Sequence, residues 1–224
     1  MIILGISGKA GSGKDTVCDY LARQHGFHKV SLAAPLKSMV SAVFPKIPRD
    51  NLWGPSHLRN EPVPEYRMSG DCPTCGNPMR LNSDADPLER YTCFDCHAKW
   101  PEYLSARVAL QTLGTDWGRR LYPDVWVDYL FDQANPRVNP RLCISDVRFP
   151  NEIRAIVRNG GKVVRVRRPV GELSMSSHES ETSLDGVGDN LFDGTLDNDG
   201  TLDDLYRSVD AVLNRLLASH RGVR

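Results

Sequence analysis

Near the amino terminus, Gly8-Lys9-Ala10-Gly11-Ser12-Gly13-Lys14 places three glycines and two lysines at the spacing of a loop that wraps phosphate oxygens. Glycines let the backbone turn tightly and aim its N–H groups inward, and the helix start that follows adds partial positive charge. Lys14 brings a full charge to the β- and γ-phosphates of a bound nucleotide. Lys9 sits at a variable loop position, where contact with a transferred phosphoryl group and plain solvent exposure are equally good readings. The residue after the lysine is commonly a Ser or Thr that coordinates Mg²⁺. Here it is Asp15, and the hydroxyl comes one place later as Thr16. Both are candidates for magnesium. Asp15 has two other readings, orienting an acceptor phosphate or favouring the helix N-terminus electrostatically.

A second constellation is made of thiols. Cys72-Pro73-Thr74-Cys75 and Cys93-Phe94-Asp95-Cys96 are separated by seventeen residues, within the spacing of a four-thiolate zinc ribbon. Cysteines three apart in a tight turn can grip one tetrahedral ion, and Gly76 permits the bend. With four sulfur ligands no position is open to substrate, so the expected zinc is structural; an iron site, disulfides and free thiols are the alternatives. Cys18 and Cys143 lie among apolar residues and read as buried structural thiols.

These groups need elements to hold them. The apolar run over residues 2–6 ends at the glycine loop, and Val17, Tyr20, Leu21 and Gln24 then share one helical face, giving strand, loop and helix in order. A second strand is predicted over His28 to Leu32, and a helix from Pro35 with an apolar stripe of Leu36, Met39, Val40, Val43 and Phe44. From Pro45 to Pro101 periodicity fails, marking an insertion and its flanking loops. Ala106, Leu110, Leu113, Trp117 and Leu121 then predict a buried helical face, interrupted at Gly114-Thr115-Asp116. A short helix is expected over Val125 to Phe131, and a buried strand over Leu142 to Asp146. A helix through Ile153, Ile156 and Val157, ended by Gly160-Gly161, leads to a strand from Lys162 to Arg167. A polar stretch from Pro169 to Asn190 precedes a last strand, Phe192 to Asp197, and a terminal helix through Leu202, Leu205, Val209 and Leu216. Alternating strands and helices predict an α/β fold with a parallel sheet of about five strands covered by helices. The chain reads as one domain over 1–224, interrupted by the ribbon at 68–101.

The 28 basic residues cancel the 28 acidic ones, so total charge gives no argument for duplex DNA or an anionic membrane as partner. No apolar run approaches the roughly 20 residues of a membrane-spanning helix, and no signal peptide is legible, so a soluble, cytoplasmic protein is expected. A homodimer is compatible with the sequence.

Several segments together resemble the phage-type deoxynucleoside monophosphate kinases. They are Ser12-Gly13-Lys14-Asp15-Thr16, Leu32-Ala33-Ala34-Pro35-Leu36-Lys37, Leu110 to Asp116, Asp124-Val125-Trp126-Val127, Ser145-Asp146-Val147-Arg148 with Glu152, and Asn198-Asp199-Gly200-Thr201-Leu202. The resemblance spans the chain except the cysteine insertion and includes the aspartate after the loop lysine. It implies a nucleoside-monophosphate kinase-like fold, ATP and Mg²⁺ as donor, and phosphorylation of a deoxynucleoside monophosphate. Carried over residue by residue, it implies an acceptor site of Lys37, Gln111, Gly114, Thr115, Trp126, Asp146, Arg148 and Glu152. Chemically, Trp126 can stack on a base or be core, and Gln111 can read a base edge or lie on a helix surface. Lys37 and Arg148 can neutralise the acceptor phosphate, and Asp146 can hold a water-linked metal or a sugar hydroxyl. Arg59 and Arg67 are candidates for a lid over phosphates or are solvated loop arginines, and Arg165 and Arg167, on one strand face, are candidates for neutralising transition-state charge or for a plain exposed charged edge, the second being the better reading. Ser177-His178-Glu179-Ser180-Glu181 falls in the equivalent region of the family, and Asn198 is expected to border the adenine. The rival readings are a P-loop kinase of another small acceptor, and an NTPase that contacts nucleic acid through the ribbon; the balanced charge disfavours the second.

Overall fold

The computed structural model describes residues 1–68, 71–72, 75–82, 84, 89, 91–168, 183–184 and 186–221, with side chains to residue 218. Ser177 to Glu181 lie outside the described residues. The chain divides into two compact units, one of Met1–Ala34 with Tyr122–Arg224 and the other of Pro35–Leu121.

In the first unit five parallel strands form one sheet in the order β10-β9-β1-β8-β2. They are β1 (Ile2–Ser7), β2 (His28–Val30), β8 (Arg141–Val147), β9 (Lys162–Arg167) and β10 (Gly194–Asp197). The central strands read as near-continuous apolar runs because both faces are covered. On one face Leu4, Ile6, Val164, Val166 and Leu196 pack with Val17, Cys18 and Leu21 of α1 (Lys14–His25), and with Leu205, Val209 and Leu213 of the terminal helix, α7 (Leu202–Arg221). On the other, α6 (Pro150–Arg158) brings Ile156 against β1, so close that a Cβ on Gly5 would lie 2.8 Å from Ile156 Cδ1. The connection after β1 therefore leaves toward one face and the one after β8 toward the other. Adjacent strands whose connections diverge leave a crevice beyond their carboxyl ends, where open α/β sheets bind ligands. The glycine loop and Arg148 flank that crevice. The helix α5 (Val125–Gln133) also belongs to this unit.

The second unit holds most of α2 (Ala34–Val43), α3 (Arg49–Trp53), a 3₁₀ turn at Ser56–Asn60, and an antiparallel pair of β3 (Pro62–Arg67) with β7 (Tyr103–Ser105). It also holds the ribbon sheet of β4 (Met79–Leu81), β5 (Tyr91–Cys93) and β6 (Lys99–Trp100). Ser105 caps α4 (Ala106–Gln111), its hydroxyl accepting from Val108 N–H at 3.3 Å. Val40, Ile47, Leu52, Val63, Leu104, Ala106 and Ala109 form a core of their own.

The expected elements of the sheet are present, with β2 ending at Val30 rather than Leu32. Three expectations need correction. The stretch around the ribbon is ordered structure rather than loop, because Ile47, Leu52 and Val63 supply a core too sparse to show periodicity. Met39 and Val43 are exposed, so the stripe on α2 is narrower than expected. Trp117 and Leu121 are exposed because α4 runs into a π-helical segment at Thr112–Arg119. Bonds to the fifth residue widen each turn, and a spacing of three and four no longer marks one face.

The core on the α1 face sets a stability prediction. Leu21 is fully buried, so Leu21→Ala is expected to lower unfolding free energy by about 2–5 kcal/mol. Urea unfolding should show it as a lower midpoint with an unchanged slope.

Candidate functional site

β1 ends at Ser7, and the loop from Gly8 to Gly13 delivers the chain to α1. Gly8 and Gly13 both lie in the left-handed region, at φ 148° and 99°. A Cβ on Gly8 would sit 2.4 Å from Val166 O, and one on Gly13 2.5 Å from Asn198 Nδ2, so no other residue fits either place. Gly11, also at positive φ, is exposed. The loop is cross-tied by Ser12 N–H to Lys9 O at 3.1 Å, and Lys14 Nζ donates to Lys9 O at 2.5 Å. Lys9 itself is exposed, and Lys14 and Thr16 are half-buried at the start of α1. Ser12 is buried, yet its hydroxyl has no hydrogen-bond partner among the described residues. A buried hydroxyl left this way is costly unless something completes it. An orphaned hydroxyl inside a glycine cradle fits a phosphate-bearing ligand.

Asn198, expected beside the adenine, instead braces this loop. Its Nδ2 donates to Ser12 O at 2.9 Å, and its own N–H donates to Arg167 O at 2.7 Å. The amide thereby ties the residue after β10 to both the loop and the end of β9.

Asp15 is exposed, and its Oδ1 lies 2.9 Å from Lys29 Nζ, which also meets Asp19 Oδ1 at 2.9 Å. Burial acts to lower the pKa of the Lys29 ammonium, but the bonds from Asp19 and Asp15 outweigh it and hold it above the usual lysine value. Asp15 is thus partly neutralised, which weakens it as a direct magnesium ligand. Lys29 was not singled out from the sequence, and its place on a three-residue strand gave no signal.

Asp146, at the carboxyl end of β8, has a different set of partners from those expected. Its Oδ2 accepts from Ser31 Oγ at 2.7 Å and Ala33 N–H at 3.0 Å, and its Oδ1 from Leu32 N–H at 2.8 Å. Three of its roughly four acceptor positions are filled by the turn that leads into α2. Glu152 is buried, its Oε2 accepting from Arg148 N–H at 2.6 Å and Phe149 N–H at 3.0 Å. That carboxylate closes the start of α6 as the reaching-back half of a capping box, with Pro150 in the first turn. Arg148 is half-buried, and its carbonyl accepts from Ser183 Oγ at 2.5 Å. Trp126 is only 5% exposed and lies with Val127 and Leu130 on the buried face of α5. The ring is therefore core here, not an open stacking platform.

Within the second unit Lys37 follows Leu36 on α2, and Leu36 packs on Gly114, where a Cβ would approach Leu36 Cδ1 to 3.0 Å. That contact brings Lys37 toward the π-helical segment carrying Gly114 and Thr115, with Gln111 just before it. Lys37, Gln111 and Thr115 are all half-buried. Arg67 pairs with Glu102 at 3.3 Å, while Arg59 is half-buried in the 3₁₀ turn.

The four ribbon cysteines converge. All four sulfurs lie within 4.8 Å of one another, with Cys72–Cys96 and Cys75–Cys96 at 3.6 Å and Cys75–Cys93 at 3.4 Å. A Zn–S bond of about 2.3 Å puts tetrahedral sulfurs about 3.8 Å apart, so one ion fits among them. The backbone N–H groups of Cys96 and Asp95 hold the Cys93 thiol below its usual pKa despite burial. Ala98 N–H acts to lower Cys96, but burial and its three thiol neighbours push it up to about 12. Crowded thiols of this kind lose their protons together only when a cation balances them.

A glycine cradle at the end of the first of five parallel strands, followed by Lys14, defines a P-loop nucleotide-binding protein. The family model for deoxynucleotide monophosphate kinase matches residues 84–209, more than half of the chain, and the chain belongs to that family. A protein of Acanthamoeba polyphaga mimivirus, provisionally named a deoxynucleotide monophosphate kinase, is 26% identical over 211 residues, covering 93% of this chain and 94% of that one. The ORF77 protein of Ictalurid herpesvirus 1 (strain Auburn) is 38% identical over 88 residues, 37% of this chain and 38% of that one. Among solved structures, dephospho-CoA kinase from Campylobacter jejuni aligns over 98% of this chain and 100% of its own, at 10% identity and a TM-score of 0.47. The TT1252 protein from Thermus thermophilus aligns over 96% and 97%, at 19% identity and a TM-score of 0.44. Among the described residues no helix is long and apolar enough to cross a membrane.

The brace on the loop can be tested without any assay of turnover. Asn198→Ala leaves Ser12 O without its donor and should cost about 1–3 kcal/mol in thermal or urea unfolding. Asn198→Asp, which also sets a carboxylate against a carbonyl, should cost more.

Proposed function

We propose that the protein transfers the γ-phosphoryl group of ATP to the phosphate of a deoxynucleoside monophosphate. The observation that carries this reading is the cradle after β1, where positive-φ glycines, the unpartnered Ser12 hydroxyl and Lys14 together suit a chain of phosphates. Membership of the deoxynucleotide monophosphate kinase family supports the acceptor class.

On the donor side, Gly8, Lys9, Gly11, Ser12, Gly13 and Lys14 hold the phosphates through backbone N–H groups and two ammonium charges, with Asn198 acting through the Ser12 carbonyl. Magnesium, when bound, screens the charge shared by the β- and γ-phosphates. Thr16 offers it a hydroxyl and Asp15 a carboxylate whose charge Lys29 offsets. For the acceptor, Lys37 and Arg148 supply cations, Gln111 a partner for a base edge, and Gly114 and Thr115 the polar groups of a widened helical turn. Arg59 and Arg67 are the further cations for closure over phosphates. Trp126, Asp146 and Glu152 serve behind these groups, as core, turn anchor and helix cap. Phosphoryl transfer asks little covalent help of the protein, so these residues act by alignment and charge neutralisation.

Purified protein incubated with ATP, Mg²⁺ and each deoxynucleoside monophosphate should convert at least one of them to the diphosphate, read by chromatography. Lys14→Met should lower that rate by at least about a hundredfold. A wild-type protein that hydrolyses ATP but phosphorylates none of the monophosphates would count against this acceptor class.

We assign the four thiols to a structural Zn²⁺. Among the described residues the ribbon buries Cys72, Met79, Tyr91 and Cys93, too few to fold it alone, so metal ligation supplies its stability. Elemental analysis should find one zinc per chain, lost in Cys93→Ser together with the ribbon's resistance to proteolysis. Iron in its place, or no metal in protein that is fully folded, would overturn the assignment.

A further inference from the structure

Arg165 and Arg167 share one face of β9, opposite Val164 and Val166, which belong to the core with α1. The parallel register sets Arg165 beside Ser7, so Arg167 lies two residues further on, at the carboxyl edge next to the glycine loop. Val166 O closes against Gly8, and Arg167 O accepts the Asn198 N–H. The Arg167 backbone is thus part of the loop's own bracing.

The two guanidiniums are held very differently. Arg165 is 18% exposed and donates to Leu184 O at 2.7 Å, to Val187 O at 3.3 Å and to Asp189 Oδ1 at 3.1 Å, with its guanidinium 4.3 Å over the Phe192 ring. It is anchored on four sides. Arg167 is 46% exposed and meets the other oxygen of Asp189, itself 55% exposed. Arg167 and Arg165 together hold the Asp189 carboxyl below its usual range, so it stays charged. An ion pair this open to water is weak and exchanges readily for a partner of greater charge.

We propose that Arg167 is a donor-phosphate-binding residue and that Asp189 occupies its guanidinium until the polyphosphate of ATP replaces the carboxylate. Resting on the ATP-donor reading given above, this adds a residue and an internal competitor to that site. A phosphate chain offers more negative charge than one carboxylate and several acceptor oxygens, and bidentate guanidinium contacts favour it. Arg165 stays with Asp189 and the Leu184 and Val187 carbonyls, so those residues remain tethered while Arg167 moves.

Titration calorimetry with MgATP tests this in four proteins. Asp189→Asn should tighten binding by about two- to fivefold, the strength of the exposed pair it removes. Arg167→Met should weaken binding by about tenfold or more. In the double variant the gain from Asp189→Asn should vanish, because Arg167 is no longer there to be released. If Asp189→Asn gives the same gain with Met at position 167, Asp189 acts only as a distant negative charge and the proposal fails; unchanged or weaker binding by Asp189→Asn sinks it too. Asp189→Ser serves as a second release variant, and melting curves show whether each protein is folded. Wild-type protein that binds no MgATP would overturn the donor reading itself, an outcome separate from a missing coupling in protein that does bind.

Discussion

A loop that binds phosphate must hold its backbone N–H groups open toward a ligand rather than satisfy them within the chain. Unpaired backbone groups are costly, so such a loop persists only if its surroundings leave it no alternative. Here the constraint comes from the far end of the sequence. Val166 O closes on Gly8, Asn198 Nδ2 holds Ser12 O, and Asn198 N–H is itself fixed by Arg167 O. Each contact exists because β9 lies next to β1, and β10 next to β9, in parallel register. The amino-terminal motif is therefore built by residues about 150 or more positions away. Loss of the β9–β10 edge would release the loop even with every glycine in place.

The second theme is counter-charge. Several cations of the first unit face carboxylates: Lys29 between Asp15 and Asp19, and Arg165 and Arg167 on Asp189. In the second unit Arg67 faces Glu102. The most open of them, Arg167 with Asp189, adds little stability. Their effect is to keep concentrated positive charge from repelling itself, which accords with equal totals of acidic and basic residues. The carboxylate at Asp146 has a different task. Its charge is spent on backbone and hydroxyl donors of one turn, and it reads as architecture.

Much of this was legible in the sequence, and the reasons differ by residue. The parallel sheet followed from apolar runs alternating with helical periods, and the glycine loop from spacing that few other structures require. The thiols converged as their spacing predicts. What escaped were features whose cause is tertiary. Glu152 looked like a ligand residue because a carboxylate three places into a helix reads as a cap mainly when Ser or Thr precedes it, and here the N-cap is Phe149. Asn198 belongs to a motif whose family resemblance pointed at the nucleotide, while its side chain is taken by a carbonyl that only the fold brings near. Trp126 could not be told from core by pattern alone. The π-helical turn at Thr112–Arg119 leaves the residue types of an ordinary helix in place and changes only the bonding, so no periodicity argument can find it.

The ribbon illustrates how an insertion can be carried without disturbing its host. Its buried cluster is distinct from the core of α2, α3, β3 and α4 in the same unit, so its folding energy is local. The residue after the second cysteine of each knuckle has a positive φ, Gly76 at 75° and His97 at 56°. That turn points the next N–H at the second cysteine's sulfur, Asn77 toward Cys75 and Ala98 toward Cys96. Glycine accepts the geometry freely, whereas a histidine there is strained by about 1–2 kcal/mol. Strain of that size survives where a stronger interaction fixes the backbone. Ligation of four thiolates by one ion far exceeds it, so the metal assigned to these sulfurs also accounts for a histidine where the first knuckle has glycine.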